Sequence, residues 1–381
     1  NRPWTGILLT TLIVGSALIW YPWFKFGHHL RVPRELLFVG LGAIGYGAWL
    51  AARFRWMGLF VVSASATTMI MAITSKVMYP LAYYQLFSIL MGSFIFLMFY
   101  ETIPKWRKFY IGAIATVVAI QIVMFLFHKF SIDPLRMYCI NPLTCTGKVP
   151  FTIGTLDNSS LLAGYLAISI PLIIRPYLWL AIPAFALLIY ADSTIPVGAL
   201  AVGLAVVLWS LVSWEKALAG TLIVIILVFA YIYWYHKFNF AITGDLVRFS
   251  VWKRALIGSL DRPIIGHGLS AFRQGFTDYA TKTGAFLEHT GWARAHSEPI
   301  QLAVESGYIT VGVVFAYIVS MGRRYWKATK SIRAVTTGAA FATLVVFSFA
   351  HFPFHIAPLA AIGLFTMADL QRTLDKDFRG K

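Results

Sequence analysis

Between residues 295 and 310 a histidine, two glutamates and a glutamine stand at the mouth of an apolar run, Ala295-His296-Ser297-Glu298-Pro299-Ile300-Gln301-Leu302-Ala303-Val304-Glu305-Ser306-Gly307-Tyr308-Ile309-Thr310. The stretch reads as the catalytic threshold of a membrane enzyme. Ser297 is suited to cap a helix whose first turn holds Glu298 and Pro299, an acid near the positive dipole end and an early proline. His296 then stands just outside the helix start. Gln301 and Glu305, four apart, share one helical face and enter the apolar segment that ends near Met321. A carboxylate there costs about 2.5–3.5 kcal/mol on insertion scales, so it should face protein or water, not lipid.

A second set of groups lies upstream, in Asp245 to Leu260. This stretch reads as an amphipathic helix in the membrane interface, with Leu246, Phe249, Leu256 and Leu260 as its apolar side. Arg248 and Trp252 share a face at a spacing of four, so a guanidinium could hold phosphate while the indole contacts lipid or sugar. A snorkelling surface arginine is the plainer reading of Arg248. Asp261-Arg262-Pro263-Ile264-Ile265-Gly266-His267-Gly268 then breaks the helix, either aiming backbone amides or simply ending it.

The elements that must position these groups are membrane spans. Of 381 residues, 59% are hydrophobic and 12% charged, and mean hydropathy is +0.73, which excludes an ordinary soluble domain. Trp20, Trp23, Trp56, Trp106, Trp214 and Trp234 fall near the ends of apolar runs, as in an interfacial belt. Apolar runs near 4–24, 36–51, 57–74, 79–100, 109–128, 160–174, 177–190, 196–213, 217–235, 299–321, 334–350 and 356–370 predict an all-α polytopic protein of about twelve transmembrane helices, a single integral membrane domain over 1–381. The first of these runs lacks an Ala-x-Ala-like cleavage site and reads as a retained helix. The Lys and Arg of 101–108, 323–333 and the 371–381 tail mark cytoplasmic sides. Both termini are then cytoplasmic, and the loops 129–158 and 236–298 lie outside, the second being large enough for a site and carrying short amphipathic helices.

The net charge of +17 is spread over short loops and forms no continuous soluble surface, which argues against nucleic acid. The large outer loop is nevertheless basic: between Lys237 and Arg294 it holds Lys237, Arg248, Lys253, Arg254, Arg262, Arg273, Lys282 and Arg294 against Asp245, Asp261, Asp278 and Glu288. Acidic lipid headgroups or a phosphate-bearing substrate would compensate. The two cysteines, Cys139 and Cys145, lie in the 129–158 loop, where a disulfide or two free thiols are the readings. They make a poor metal site. His351 and His355 flank Pro353 on a short outer turn with no acid nearby in sequence, so packed or solvated histidines suffice and no metal is expected. No Walker loop, dinucleotide fingerprint, heptad or internal repeat is present.

Three stretches together resemble the O-antigen ligase and polymerase superfamily of bacterial membrane glycosyltransferases. Gly154-Thr155-Leu156-Asp157-Asn158 followed by Ala163-Gly164-Tyr165 is similar to its Gly-Thr-x-x-Asn and Ala-Gly-Tyr pattern. Arg248 to Phe272 is similar to its Arg, Trp, Pro-x-x-Gly-x-Gly and Phe sequence. His296, Ser297, Gly307 and Thr310 fit its pattern of His, then Asn, Ser or Gln, nine residues, Gly, two residues, and Gly, Thr or Tyr.

The resemblance implies an inverting, metal-independent enzyme without a cofactor in the bacterial inner membrane, active on its periplasmic side. It would move a glycan from undecaprenyl diphosphate to a hydroxyl of a glycolipid, glycan or protein. Lipopolysaccharide biosynthesis with a lipid A-core acceptor is the ligase form; an O-antigen polymerase or a protein O-oligosaccharyltransferase is the alternative, and a membrane transporter is the reading from a different class. His296 would be the general base and Arg248 the diphosphate ligand, helped by Arg254, Arg262 and the helix start at Ser297. Gln301, Glu305, Asn158 and Trp252 would support them. One departure is plain: where many members carry a Ser-Arg-Gly arginine, this chain reads Asp192-Ser193-Thr194-Ile195-Pro196-Val197-Gly198.

Overall fold

A computed structural model describes residues 33–74, 79–130, 132, 154–156, 158–191, 193–238, 242–272, 294–328 and 331–379. The expected span at 4–24 and both cysteines, Cys139 and Cys145, lie outside the described residues. Among those described, the chain is all helical: α1 (Pro33–Arg53), α2 (Arg55–Thr74), α3 (Tyr79–Lys129), α4 (Ser159–Ile173), α5 (Leu178–Tyr190), α6 (Thr194–Leu211), α7 (Trp214–Phe238), α8 (Ile242–Ser259), α9 (Glu298–Lys327), α10 (Ile332–Ala350), a 3-10 turn (Pro353–His355) and α11 (Ala357–Arg379).

Five of these helices are long and apolar enough to cross a bilayer, in the ranges Tyr84–Lys129, Thr194–Leu211, Trp214–Tyr233, Glu298–Lys327 and Ile332–Ala350, and α4 and α5 are shorter apolar helices. The protein is thus a multi-pass membrane protein. The Tyr84–Lys129 segment has 46 residues, about 70 Å if straight, more than twice a hydrocarbon core of about 30 Å. It is not straight. The rings of Phe99 and Tyr110, eleven residues apart, have centroids 5.3 Å apart, where a straight helix would separate their Cα atoms by about 16 Å. The bend falls at Glu101 to Lys108, around Pro104, where the sequence predicts a loop between two spans. A proline removes a helical donor and permits such a bend.

Nearly all of α4 is buried, packed against α5, α6, α10, α11 and the two arms of α3. Tyr165, Phe99, Tyr110, Phe347 and Phe365 form the bulk of this core. On α7, by contrast, Ile223, Ile226, Leu227, Phe229 and Tyr233 are exposed, as expected of a helix whose solvent is lipid.

Polar side chains gather at two levels. Along α9, α10 and α11, one level holds Arg324, Arg333 and Asp369, and the other holds Glu298, His351 and His355. At the first, the fully buried Asp369 carboxylate accepts from Arg107 Nε at 2.9 Å, from the Arg333 guanidinium and from Thr337 Oγ1 at 2.8 Å. Asp375 pairs with Arg324 and accepts from Tyr100 Oη at 2.5 Å. The expected tail at 371–381 is therefore helical as far as Arg379 and tied into the bundle, with Leu370 and Leu374 buried beside Tyr317, Met321 and Tyr325. Arg107, Arg324, Arg333 and Asp375 belong to the Lys- and Arg-rich stretches at 101–108, 323–333 and 371–381 that the sequence predicts on one side of the membrane.

Candidate functional site

At the opposite level, α9 starts where the sequence predicts, with Ser297 extended at the N-cap and Glu298 and Pro299 in the first turn. The Ser297 hydroxyl makes no capping bond, which corrects its expected role as a side-chain cap. α9 is interrupted at Gly307, whose backbone (φ 73°, ψ 171°) is not helical. In an unbroken helix the Val304 carbonyl would accept from Tyr308 N and the Glu305 carbonyl from Ile309 N. Here Val304 O accepts from His267 N (2.7 Å), Glu305 O accepts from Gly268 N (2.9 Å), and Tyr308 N donates to Pro263 O (2.7 Å).

The Pro-x-x-Gly-x-Gly turn therefore replaces bonds that the helix lacks. Its amides are aimed, but at α9 rather than at a ligand. Close approach requires the glycines: a Cβ on Gly266 would lie 2.6 Å from Glu305 O, and one on Gly307 would lie 2.1 Å from Ile264 O.

The same docking fastens α8, and with it Arg248, to the His296 turn. Trp252 Nε1 donates to Ala295 O at 2.7 Å, Ser259 Oγ and Tyr308 Oη are 2.8 Å apart, and Val251, Ala255, Phe272, Ala295 and Val304 form a small apolar cluster. The indole expected to meet lipid or sugar is thus a brace for the histidine's neighbour, and it also lines an apolar cavity of about 550 Å³ with Thr194, Gly198, Ile232, Ile300 and Phe349.

His296 has φ 51°, the left-handed region that a non-glycine residue adopts at a cost and that clusters at functional sites. Its ring meets Phe352 edge-on at 4.7 Å and lies 6.3 Å from the ring of His351. Burial first, and then the charges of Arg248 and Arg294, lower the imidazole's pKa from 6.5 to about 4. It is neutral at pH 7. His351, expected as a packed or solvated histidine, is packed: it is 2% exposed and stacks on Phe347 at 4.6 Å.

Beneath His296 a chain of hydrogen bonds reaches α3, the turn after α8 and the 3-10 turn. Ala295 N donates to Gln301 Oε1 at 3.3 Å, and Gln301 Nε2 donates to Glu305 Oε1 at 3.1 Å. Glu305, 1% exposed, is turned to protein and not to lipid, as its insertion cost predicts. Its second oxygen accepts from Gln85 Nε2 at 2.7 Å, and Gln85 Oε1 accepts from Ser270 Oγ at 2.5 Å. Gln85 Nε2 also lies 3.2 Å from His355 Nε2, and His355 Nδ1 lies 3.3 Å from Glu298 Oε1. A His355 proton on Nδ1 satisfies both contacts. Glu298 Oε1 also accepts from Phe354 N at 2.9 Å.

Of the residues singled out in sequence, Arg248, Trp252, His296, Ser297, Gln301 and Glu305 come together here. Asn158 instead caps α4, accepting from Ser160 N at 2.8 Å. Arg262 is exposed in the turn, Arg254 is half-buried on α8, and neither is among the charges that shift His296. Gln85, Ser270, Phe352 and His355 join the site without any signal in their own neighbourhoods. Arg294 could have been found by its place two residues before His296. Among the described residues no group of three or more His, Cys, Asp or Glu side chains could hold a metal ion.

Fold and site define a multi-pass helical membrane protein with a basic, histidine-bearing cluster at one end of its bundle. Residues 178–315 match the family model described as O-antigen ligase, which supports, over that segment, the resemblance to the O-antigen ligase superfamily. The matched segment runs from α5 into α9 and includes Arg248, the docking turn and His296; the Gly154 to Tyr165 stretch precedes it. No curated protein matches the chain.

Proposed function

We propose that the protein is a metal-independent, inverting glycosyltransferase of the O-antigen ligase type. It transfers a glycan from undecaprenyl diphosphate to an acceptor hydroxyl, on the periplasmic side of the inner membrane and within the 236–298 loop and the helix ends that meet it. The observation that carries this reading is the docking of α8 on α9, which joins a neutral imidazole at His296 to the guanidinium of Arg248 across 48 residues of sequence.

A polyprenyl diphosphate leaves without needing a proton, so the enzyme has two tasks: to meet the charge of the leaving group and to activate the acceptor. Arg248 meets the diphosphate. His296 takes the acceptor's hydroxyl proton as that oxygen forms its bond to the anomeric carbon, while the bond from that carbon to the phosphate oxygen breaks and the electron pair leaves with the diphosphate. One displacement inverts the anomeric configuration. Gln301 and Glu305 hold the backbone beside the base and take no proton. The apolar cavity beside Trp252 has the character that an isoprenoid chain requires.

The test is incubation of the purified protein with a polyprenyl diphosphate glycan and separate lipid A-core, glycan and protein acceptors, with product masses measured. Transfer to one acceptor by the native protein, and none by a folded His296→Ala variant, is expected. Full activity in that variant would overturn the mechanism, and the accepted substrate separates ligase from polymerase and protein oligosaccharyltransferase. Movement of the donor across a vesicle membrane without transfer would establish a transporter instead.

A further inference from the structure

We infer that Arg294 is the second cation of the donor site, taking one phosphate of the diphosphate while Arg248 takes the other. This rests on the donor reading above and adds to it a residue that no motif marks. The Arg294 guanidinium lies over the Phe352 ring, 5.5 Å from its centroid, and His296 contacts the same ring edge-on. Cation and imidazole thus lie against one phenyl group. Arg248 and Arg294 are also the two charges that act on His296.

Among the described residues Arg294 has no counter-ion in contact. Burial lowers its pKa, and the charges of Glu305 and Glu298 oppose that shift only from a distance. The two nearby acids are engaged elsewhere, Glu305 by Gln85 and Gln301, and Glu298 by Phe354 N and His355. A mostly buried guanidinium without a carboxylate beside it is costly unless an anion completes the site. A diphosphate suits it: two adjacent phosphates offer two forks of oxygens, and each guanidinium can meet one bidentately.

Two cations also explain how a weak base becomes useful. After burial, the charges of Arg248 and Arg294 lower the pKa of His296 further; a bound diphosphate offsets that part of the depression and raises its basicity, so the base is activated when the donor is in place.

The experiment measures binding of unglycosylated polyprenyl diphosphate and polyprenyl monophosphate to the detergent-purified full chain, alongside the transfer assay. The native protein should prefer diphosphate over monophosphate at least tenfold. Arg294→Gln should lose tenfold or more in diphosphate affinity and most of that preference, and Arg294→Lys should recover part of it. In parallel the acid limb of kcat/KM for donor should move to higher pH in Arg294→Gln, because one of the charges that depress His296 is gone; a merely structural role would leave the preference for diphosphate over monophosphate in place.

Unchanged diphosphate affinity in Arg294→Gln, or an equal loss for monophosphate, overturns the inference while leaving His296 to its own test. If Arg294→Gln fails to fold, Arg294→Lys decides: a weakened preference for diphosphate supports the inference, and native affinity with the full preference overturns the bidentate contact. Loss of binding in Arg294→Gln with no transfer to any acceptor by the native protein supports the cation site and overturns the transfer reading. A native protein that does not bind diphosphate overturns both.

Discussion

Gly307 stands so close to Ile264 that a Cβ on it would lie 2.1 Å from the Ile264 carbonyl oxygen. The backbone of Gly307, at φ 73° and ψ 171°, is in a region essentially reserved for glycine, where another residue costs about 1–3 kcal/mol. Gly307→Ala adds that strain to a clash with backbone that cannot swing aside, so the turn must leave α9 and take Trp252 with it. A lowered melting temperature and a loss of transfer beyond tenfold are expected. Gly312→Ala is the control, since a Cβ there meets nothing within 4 Å. Equal behaviour of the two variants in a thermal melt would remove the docking argument.

The Ala-Gly-Tyr stretch has a comparable role one layer deeper. A Cβ on Gly164 would lie 2.3 Å from Cζ of Phe347, the ring on which His351 stacks. Gly164→Ala must push that ring toward His351 and Phe352, at an overpacking cost of about 1–3 kcal/mol. Reduced kcat with donor affinity little changed is the expected pattern, because the disturbance reaches His296 through Phe352 and not through Arg248. A fall in donor binding alone would place the effect elsewhere.

At the other end of the bundle, Asp369→Asn leaves Arg107 and Arg333 facing a neutral amide in a fully buried position. Breaking a buried pair by removing one charge costs about 3–5 kcal/mol, and the partial exposure of both arginines sets the expectation at the low end. The measurement is thermal unfolding in detergent; the melting temperature should fall, and binding of donor by the folded fraction should persist. An unaltered melting temperature would show that the two arginines find other partners.

These cases show what could be read in advance. The start of α9 and the interruption between the spans expected at 79–100 and 109–128 follow from capping preferences and hydropathy, which act within a few residues. The purpose of Pro263-x-x-Gly-x-Gly could not be read that way, because its amides bond to carbonyls some forty residues later that are free only because α9 breaks at Gly307. Gln85 meets Glu305 across 220 residues, and His355, with no acid close by in sequence, finds Glu298 57 residues earlier. Buried polar groups choose partners by space, so their pairing is invisible until the helices are packed. Asn158 illustrates the reverse: the resemblance assigns it to the site, while its side chain caps α4, a role that its own residue type and position favour.

The titration of His296 offers a last test with a definite sign. Its folded pKa, about 4, lies below the 6.5 of an unperturbed imidazole, so protonation favours the unfolded chain. The contribution of His296 to stability is intact above about 6.5 and is lost as pH falls through the window down to about 4. Activity follows the same group from the other side, since only the neutral ring can accept a proton. The acid limb of kcat/KM for donor, which reports the free enzyme, should fall near pH 4. The limb of kcat reports the donor complex, in which a bound diphosphate offsets Arg248 and Arg294, and it should lie at higher pH, toward 6.5. Both profiles can be recorded on one preparation with the transfer assay, and a kcat/KM limb at or above 6.5 would show that burial and the charges of Arg248 and Arg294 do not set the basicity of His296.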